Sequence, residues 1–305
     1  MLARLQQITT LGALLLAVLW GALWWRAGHQ GWALLGVSLL IVGYAGVLAL
    51  EFILLRWVHA EDPAPKATGL QLLRAWWGEV RSAPLVFCWR QPFSSHRYPN
   101  TLQAASGRRG VLLIHGFVCN RGLWNRWLHR LQQHGVPVIA VNLEPVFGGI
   151  DEYRSTIDQA ITQLTLATGQ LPVVVAHSMG GLALRAWWAQ MEGDTRVHHA
   201  ITLGTPHQGT WLARFALTRN SQQMRRHSRW LEALAAQEPA GRARHFTCFY
   251  SHCDNIVFPP MTATLAGADN RHLPGVAHVH MVEHPEPWNE LLRWVSAPAS
   301  SPGLR

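Results

Sequence analysis

The sequence predicts an α/β fold, a mainly parallel sheet with helices on both faces and a helical cap insertion, preceded by two transmembrane helices. Three observations carry that reading. From residue 110 the chain alternates short β-rich runs with helical patterns, as parallel pairing requires, because a crossover must separate successive parallel strands. Within that alternation, Ala176-His177-Ser178-Met179-Gly180 joins the apolar run Leu171-Pro172-Val173-Val174-Val175 to a helix-like stretch starting at Gly181. Ahead of it, residues 8–25 carry no charge, and residues 32–50 carry none before Glu51.

The two uncharged runs come first. A bilayer core takes about 20 apolar residues as a helix, so 8–26 and 32–55 read as spans of a membrane hairpin occupying residues 1–60. Trp20, Trp24, Trp25 and Trp32 cluster around the intervening turn, where indoles favour the membrane interface. No small-x-small cleavage site follows the first run, and a second long run does follow, which argues against a signal peptide. A hairpin leaves its two ends on one side. Arg4, Arg56, Lys66 and Arg74 lie there against Arg26 in the turn, so the positive-inside rule places the α/β domain on the cytoplasmic side, in a bacterial inner membrane.

Glu61-Asp62-Pro63-Ala64-Pro65-Lys66 reads as a linker, and 70–80 as a helix that completes a 61–83 connection. The α/β domain is expected over 84–296, with a frayed tail at 297–305. Its elements are strands at 111–114, 136–141, 173–176, 199–203 and 246–250, and helices at 123–133, 151–167, 179–191 and 288–295. Residues 211–244 interrupt the alternation. They carry seven Arg against Glu232 and Glu238, interspersed with Trp211, Phe215, Met224 and Trp230, and read as a helical cap whose Arg225, Arg226 and Arg229 meet anionic headgroups.

Composition narrows the partners. The net charge of +9 rests on 25 Arg and one Lys against 17 acids. No nucleic-acid motif accompanies it, so an anionic membrane surface is the expected partner and nucleic acid is not. Cys88, Cys119, Cys248 and Cys253 form no C-x-x-C pair, which is compatible with reduced thiols. The 17 His include no H-E-x-x-H, and neither a metal nor another cofactor is expected.

Small-x-Ser-x-Gly between a strand and a helix is a nucleophile elbow, in which small flanking residues permit a turn tight enough to lift the hydroxyl clear of the sheet. Ser178 is the candidate nucleophile, with Ala176 in place of the usual first glycine. The competing reading is a serine that merely caps the next helix. Such an elbow is followed along the chain by an acid and then a histidine, each on a loop after a strand. Asp254, after the strand at 246–250, and His278, before the last helix, occupy those places, with Asp269 and His280 as nearest rivals. His278 would take the Ser178 proton, and Asp254 would fix the imidazole tautomer. The main-chain N–H groups of Phe117, after the first catalytic strand, and Met179, after the nucleophile, would hold the developing oxyanion.

His115-Gly116-Phe117, Phe147-Gly148-Gly149-Ile150, Ala176 to Gly181, Leu203-Gly204-Thr205-Pro206-His207-Gln208-Gly209-Thr210 and Asp254-Asn255-Ile256-Val257 together make residues 110–295 resemble the α/β-hydrolase superfamily, in its lipase and esterase branch with an A-H-S-M-G-G elbow. The resemblance implies the α/β-hydrolase fold and a serine hydrolase cleaving carboxylic esters of lipid or acyl substrates. It leaves open an acyltransferase or thioesterase with the same triad, and a non-catalytic membrane scaffold of the same fold. His207, in the loop after the 199–203 strand, is expected to be structural.

Overall fold

The computed structural model describes residues 1–59, 62–103, 108–191 and 196–296. The expected tail at 297–305 and Glu61 of the linker lie outside them. The chain opens with α1 (Leu2–Arg26) and α2 (Gln30–Val58), packed as an antiparallel hairpin and long and apolar enough to cross a membrane. At 1.5 Å per residue each exceeds the roughly 30 Å of a hydrocarbon core. Trp20 Nε1 donates to Trp32 O at 2.9 Å across the turn, where Gly28 takes a left-handed φ of 79°.

Next comes α3 (Gly69–Pro84), started by a capping box in which Thr68 and Gln71 exchange side-chain and main-chain bonds. It is longer than the 70–80 expected, because it runs on through a π-helical stretch, Leu85–Arg90, and a last turn, Gln91–Phe93. Residues 84–93 are therefore a helical support, and the first strand of the catalytic domain begins at Val111. The helix docks the hairpin. Gln6 Nε2 donates to Gln91 Oε1 (3.0 Å), Gln7 Nε2 to Pro92 O (2.6 Å), Tyr44 OH to Val80 O (2.8 Å) and Trp76 Nε1 to Ala45 O (2.9 Å).

The remainder is β1 (Val111–Ile114), α4 (Asn125–Gln133), β2 (Val138–Ala140), α5 (Arg154–Thr168), β3 (Val173–His177), α6 (Met179–Trp188), β4 (His199–Leu203), α7 (Arg219–Gln223), α8 (Arg229–Gln237), β5 (Phe246–Tyr250), β6 (Asp269–His272) and α9 (Pro285–Ser296). Among the described residues the six strands are all parallel, in the order β2-β1-β3-β4-β5-β6. Successive side chains of a strand point to opposite faces. Thus Leu112, Ile114, Val174 and Ala176 pack with Ile157 and Ile161 of α5 and Leu182 of α6, while Val111, Leu113, Val173 and Val175 pack with Trp127 and Leu128 of α4 and Trp288 and Leu291 of α9. Helices on both faces explain the unbroken apolar strands.

One strand had no apolar signature. Asp269–His272 is polar and partly exposed because it is the sheet edge, which needs no second buried face. Asp269, a rival for the catalytic acid, is thereby spent in β6, where it pairs with Arg271 at 2.6 Å.

Residues 211–244 are a helical insertion between β4 and β5, formed by the 3₁₀ turn Trp211–Phe215, α7, α8 and the 3₁₀ turn Arg242–His245. It abuts the root of the hairpin, where Trp211 stacks on Phe258 (5.8 Å) and meets Trp57 of α2 edge-on (5.9 Å). Arg225, expected to face headgroups, donates to Ala213 O (3.1 Å) and Ala216 O (2.8 Å), so its guanidinium also ties the insertion together.

Candidate active site

The order of strands reverses between β1 and β3, and in open parallel sheets the crevice at the carboxyl ends beside such a switch point receives the ligand. Ser178 sits there, immediately after β3. Its φ of 54° and ψ of −129° are rare for a residue with a Cβ, a conformation that costs about 1–3 kcal/mol and persists where its surroundings enforce it. Its N–H donates to Leu203 O (2.9 Å), and its main-chain oxygen accepts from Gly181 N (3.1 Å). Ser178 occupies the N-cap position of α6, yet its side chain makes no capping bond, which removes the structural alternative for this serine.

The small residues of the motif have separate duties. Ala176 lies inside β3, in register with Ile114 and Thr202, so its methyl group needs no glycine there. Gly180 is different, since a Cβ on it would stand 2.6 Å from His115 O and 2.8 Å from Ile114 O. Gly180→Ala is expected to destabilise the chain by about 1–3 kcal/mol, because the obstacles are main-chain atoms of β1 and the following turn that cannot rotate away. Thermal unfolding of the purified variant measures this.

Asp254 and His278 come together from the loops after β5 and β6. His278 Nδ1 lies 2.9 Å from Asp254 Oδ2, both residues buried. Oδ1 of Asp254 accepts the N–H groups of Ile256 (2.9 Å) and Val257 (2.8 Å). Gly204, at φ 54°, leaves the room this pair needs, since a Cβ there would lie 2.8 Å from Asp254 Oδ2 and 3.0 Å from His278 Nδ1. His278 N donates to Asn255 Oδ1 (3.2 Å), and His278 O lies 3.2 Å from His177 Nε2. Burial alone would lower the His278 pKa, but Asp254, by charge and hydrogen bond, and then Glu79 and Glu51 outweigh it and raise the value. His280, the rival base, is two residues further on with its pKa lowered by burial.

Ser178, His278, Phe117 and Asn255 line one end of a cavity of about 840 Å³. Gly116 lets the chain pass beside the nucleophile, since a Cβ on it would stand 2.7 Å from Ser178 Cβ. His115 fixes that turn. Burial lowers its pKa to about 4, and with Nδ1 2.9 Å from Gly116 O, Nε2 accepts from Leu143 N (3.0 Å). Among the described residues, neither Phe117 N–H nor Met179 N–H meets a protein acceptor, so both remain available to an oxyanion. His207 is structural in its contacts, held against Thr202 Oγ1 (3.1 Å) with its carbonyl accepting from Arg185 (2.9 Å).

Two carboxylates escaped sequence reasoning. Glu51 of α2 accepts from Asn255 Nδ2 at 2.7 Å. Glu79 of α3 lies buried under the histidine loop and accepts from Val279 N (3.1 and 3.2 Å) and His280 N (3.0 Å). Each is the single acid of its helix; for Glu51 a lone acid in an apolar stretch was the available signal, whereas Glu79 shares an amphipathic helix with Arg74 and Arg81 and gave none.

Burial raises the Glu79 pKa from 4.5 to about 7, outweighing its hydrogen bonds and the charge of His278. The folded chain thus keeps a proton that the unfolded chain releases. Its contribution to stability is present below about pH 4.5 and is lost as pH rises to about 7, a change of about 3 kcal/mol. Glu79→Gln is expected to flatten that part of the curve of Tm against pH. By removing a negative charge near His278, it should also move the acid limb of kcat/KM to lower pH.

A sequence profile of the alpha/beta hydrolase family matches residues 111–295. No curated protein sequence matches the chain significantly. Among solved structures, the mature Bacillus licheniformis lipase BlEst2 is similar with a TM-score of 0.55 at 13% identity, over 66% of this chain and 97% of that one. Aspergillus fumigatus lipase B is similar with a TM-score of 0.54 at 19% identity, over 86% of this chain and 68% of that one. At these identities the likeness is one of fold.

Proposed function

Since the chain belongs to the alpha/beta hydrolase family, we propose that it is a membrane-anchored serine hydrolase that cleaves carboxylic esters of lipid or acyl substrates. Ser178 Oγ attacks the acyl carbonyl while its proton passes to His278 Nε2. The oxyanion is held by the N–H groups of Phe117 and Met179. Collapse of the tetrahedral intermediate breaks the ester C–O bond, the imidazolium returns the proton to the leaving alcohol, and an acyl-serine remains. Water, deprotonated by the same imidazole, then releases the carboxylic acid and restores Ser178.

The observation that carries this reading is the 2.9 Å contact of His278 Nδ1 with Asp254 Oδ2, at the mouth of a cavity that also receives a serine held at positive φ. The apolar hairpin supports membrane anchoring, and the excess of Arg and Lys at its two ends over its turn supports a cytoplasmic catalytic domain. Reaction of the full-length chain with a fluorophosphonate tests the chemistry. A single adduct on the peptide containing Ser178 is expected, whereas a folded chain that takes no label contradicts the proposal.

A further inference from the structure

The cavity that ends at Ser178 is walled on its far side by the membrane hairpin. Ala13 and Leu14 of α1 and Leu40, Ile41 and Val47 of α2 line it. No residue of the 211–244 insertion lines it, although that segment is where a cap was expected. From Glu51, bonded to Asn255 beside the histidine, back to Leu40 the wall follows α2 for about 16 Å, close to the roughly 15 Å hydrocarbon depth of one leaflet. The same helices also expose Leu16, Leu19, Leu39 and Val42, and the lining Leu14, Leu40, Ile41 and Val47 are themselves exposed, so the cavity is open along the hairpin. One pair of helices therefore presents apolar surface both to a bilayer and, through an open-sided cavity, to the reacting serine.

We propose that the substrate is a long-chain acyl ester resident in the bilayer, whose chain reaches Ser178 laterally and lies against the inner face of the hairpin while its carbonyl meets the nucleophile. This rests on the serine hydrolase reading above. The cavity's continuity from Ser178 to the middle of α2 favours a hydrocarbon chain as occupant, because its lining there is mostly apolar and a polar group would find few partners. The acids of the cavity wall, Glu51 and Glu79, stand at its catalytic end. An occupant thus meets the acids at the carbonyl and, beyond it, a hairpin lining that is apolar except for Thr10 and Tyr44, the latter with its hydroxyl already engaged by Val80 O.

The test uses the full chain in phosphatidylcholine vesicles, with Leu40→Trp and Ile41→Trp to fill the far end and Val18→Trp, on the outward face, as control. The ratio of kcat/KM for a p-nitrophenyl hexadecanoate over a butanoate is expected to fall at least tenfold in the two cavity variants and to stay unchanged in the control. An unchanged ratio in cavity variants that still label with fluorophosphonate overturns the proposal. A second measurement needs no variant. A long-chain fluorophosphonate carrying a terminal diazirine is reacted with the wild-type chain and photolysed. Adducts on the peptides holding Ala13 and Leu14, or Leu40 to Val47, are expected. Ser178 labelled with no hairpin adduct overturns lateral binding alone, whereas an unlabelled folded chain overturns the nucleophile assignment and this inference with it.

Discussion

Replacing Ser178 by alanine is expected to lower kcat/KM for a soluble short-chain ester by on the order of 10⁴–10⁶, with the Tm nearly unchanged. The size of the loss follows from the division of labour. Without the hydroxyl no acyl-enzyme forms, and His278 with Asp254 can only assist direct attack by water held near the same amides. The stability expectation follows from geometry. The side chain makes no capping bond to α6, so truncation to alanine leaves no helix N–H without its partner, and the cavity already opens beside it. Alanine keeps a Cβ at φ 54°, so the backbone strain is the same in both proteins. Steady-state kinetics beside a melting curve separates this from a serine that merely supports the fold. Activity retained in full by a folded Ser178→Ala variant contradicts the nucleophile assignment.

Most of the sheet was legible because its strands are buried on both faces and so read as continuous apolar runs, from Val111 to Ile114 and from Val173 to Val175. The elbow was legible because small residues around Ser178 between a strand and a helix are a short pattern, although the atoms that demand Gly180 and Gly181 come from afar, Ile114 and His115 for the first and Thr205 for the second. β6 was not, because an edge strand answers to main-chain pairing rather than to side-chain burial, and Asp269-Asn270-Arg271-His272 carries no pattern to count. That miss made Asp269 a rival to Asp254.

The larger omission concerns the hairpin. Its apolar runs are equally consistent with helices that only anchor and with helices that also line a site, because composition does not say which face meets what. Tertiary contact decides it, through Glu51 on Asn255 and Gln6 on Gln91, more than 80 residues apart in each case. The insertion at 211–244 illustrates the converse. Its mixed basic and apolar character suggested a cap beside the site with a surface that meets lipid, whereas it lines no part of the cavity and packs through Ala213, Met224, Leu231 and Leu234 on the core under α5 and α6 and through Trp211 on Phe258 and Trp57 of α2.

Asp254→Asn is expected to cost about 10⁴ in kcat/KM while leaving the chain folded, and the reason lies in how many donors surround this carboxylate. Oδ1 takes two main-chain N–H groups, from Ile256 and Val257, and Oδ2 faces His278 Nδ1. An asparagine has one acceptor oxygen and one NH₂ group. If its oxygen keeps the two main-chain bonds, which hold the loop, its NH₂ must face Nδ1. The imidazole then becomes an acceptor at Nδ1 and carries its proton at Nε2, the tautomer unable to receive a proton from Ser178. The reverse orientation would set the NH₂ against two N–H donors inside a buried loop, at about 1–3 kcal/mol for each group left unsatisfied. The substitution also removes the negative charge that raises the His278 pKa, so whatever activity remains should show its acid limb at lower pH. A pH–rate profile of the folded variant measures both effects. A loss of less than tenfold would mean that Asp254 does not orient the base.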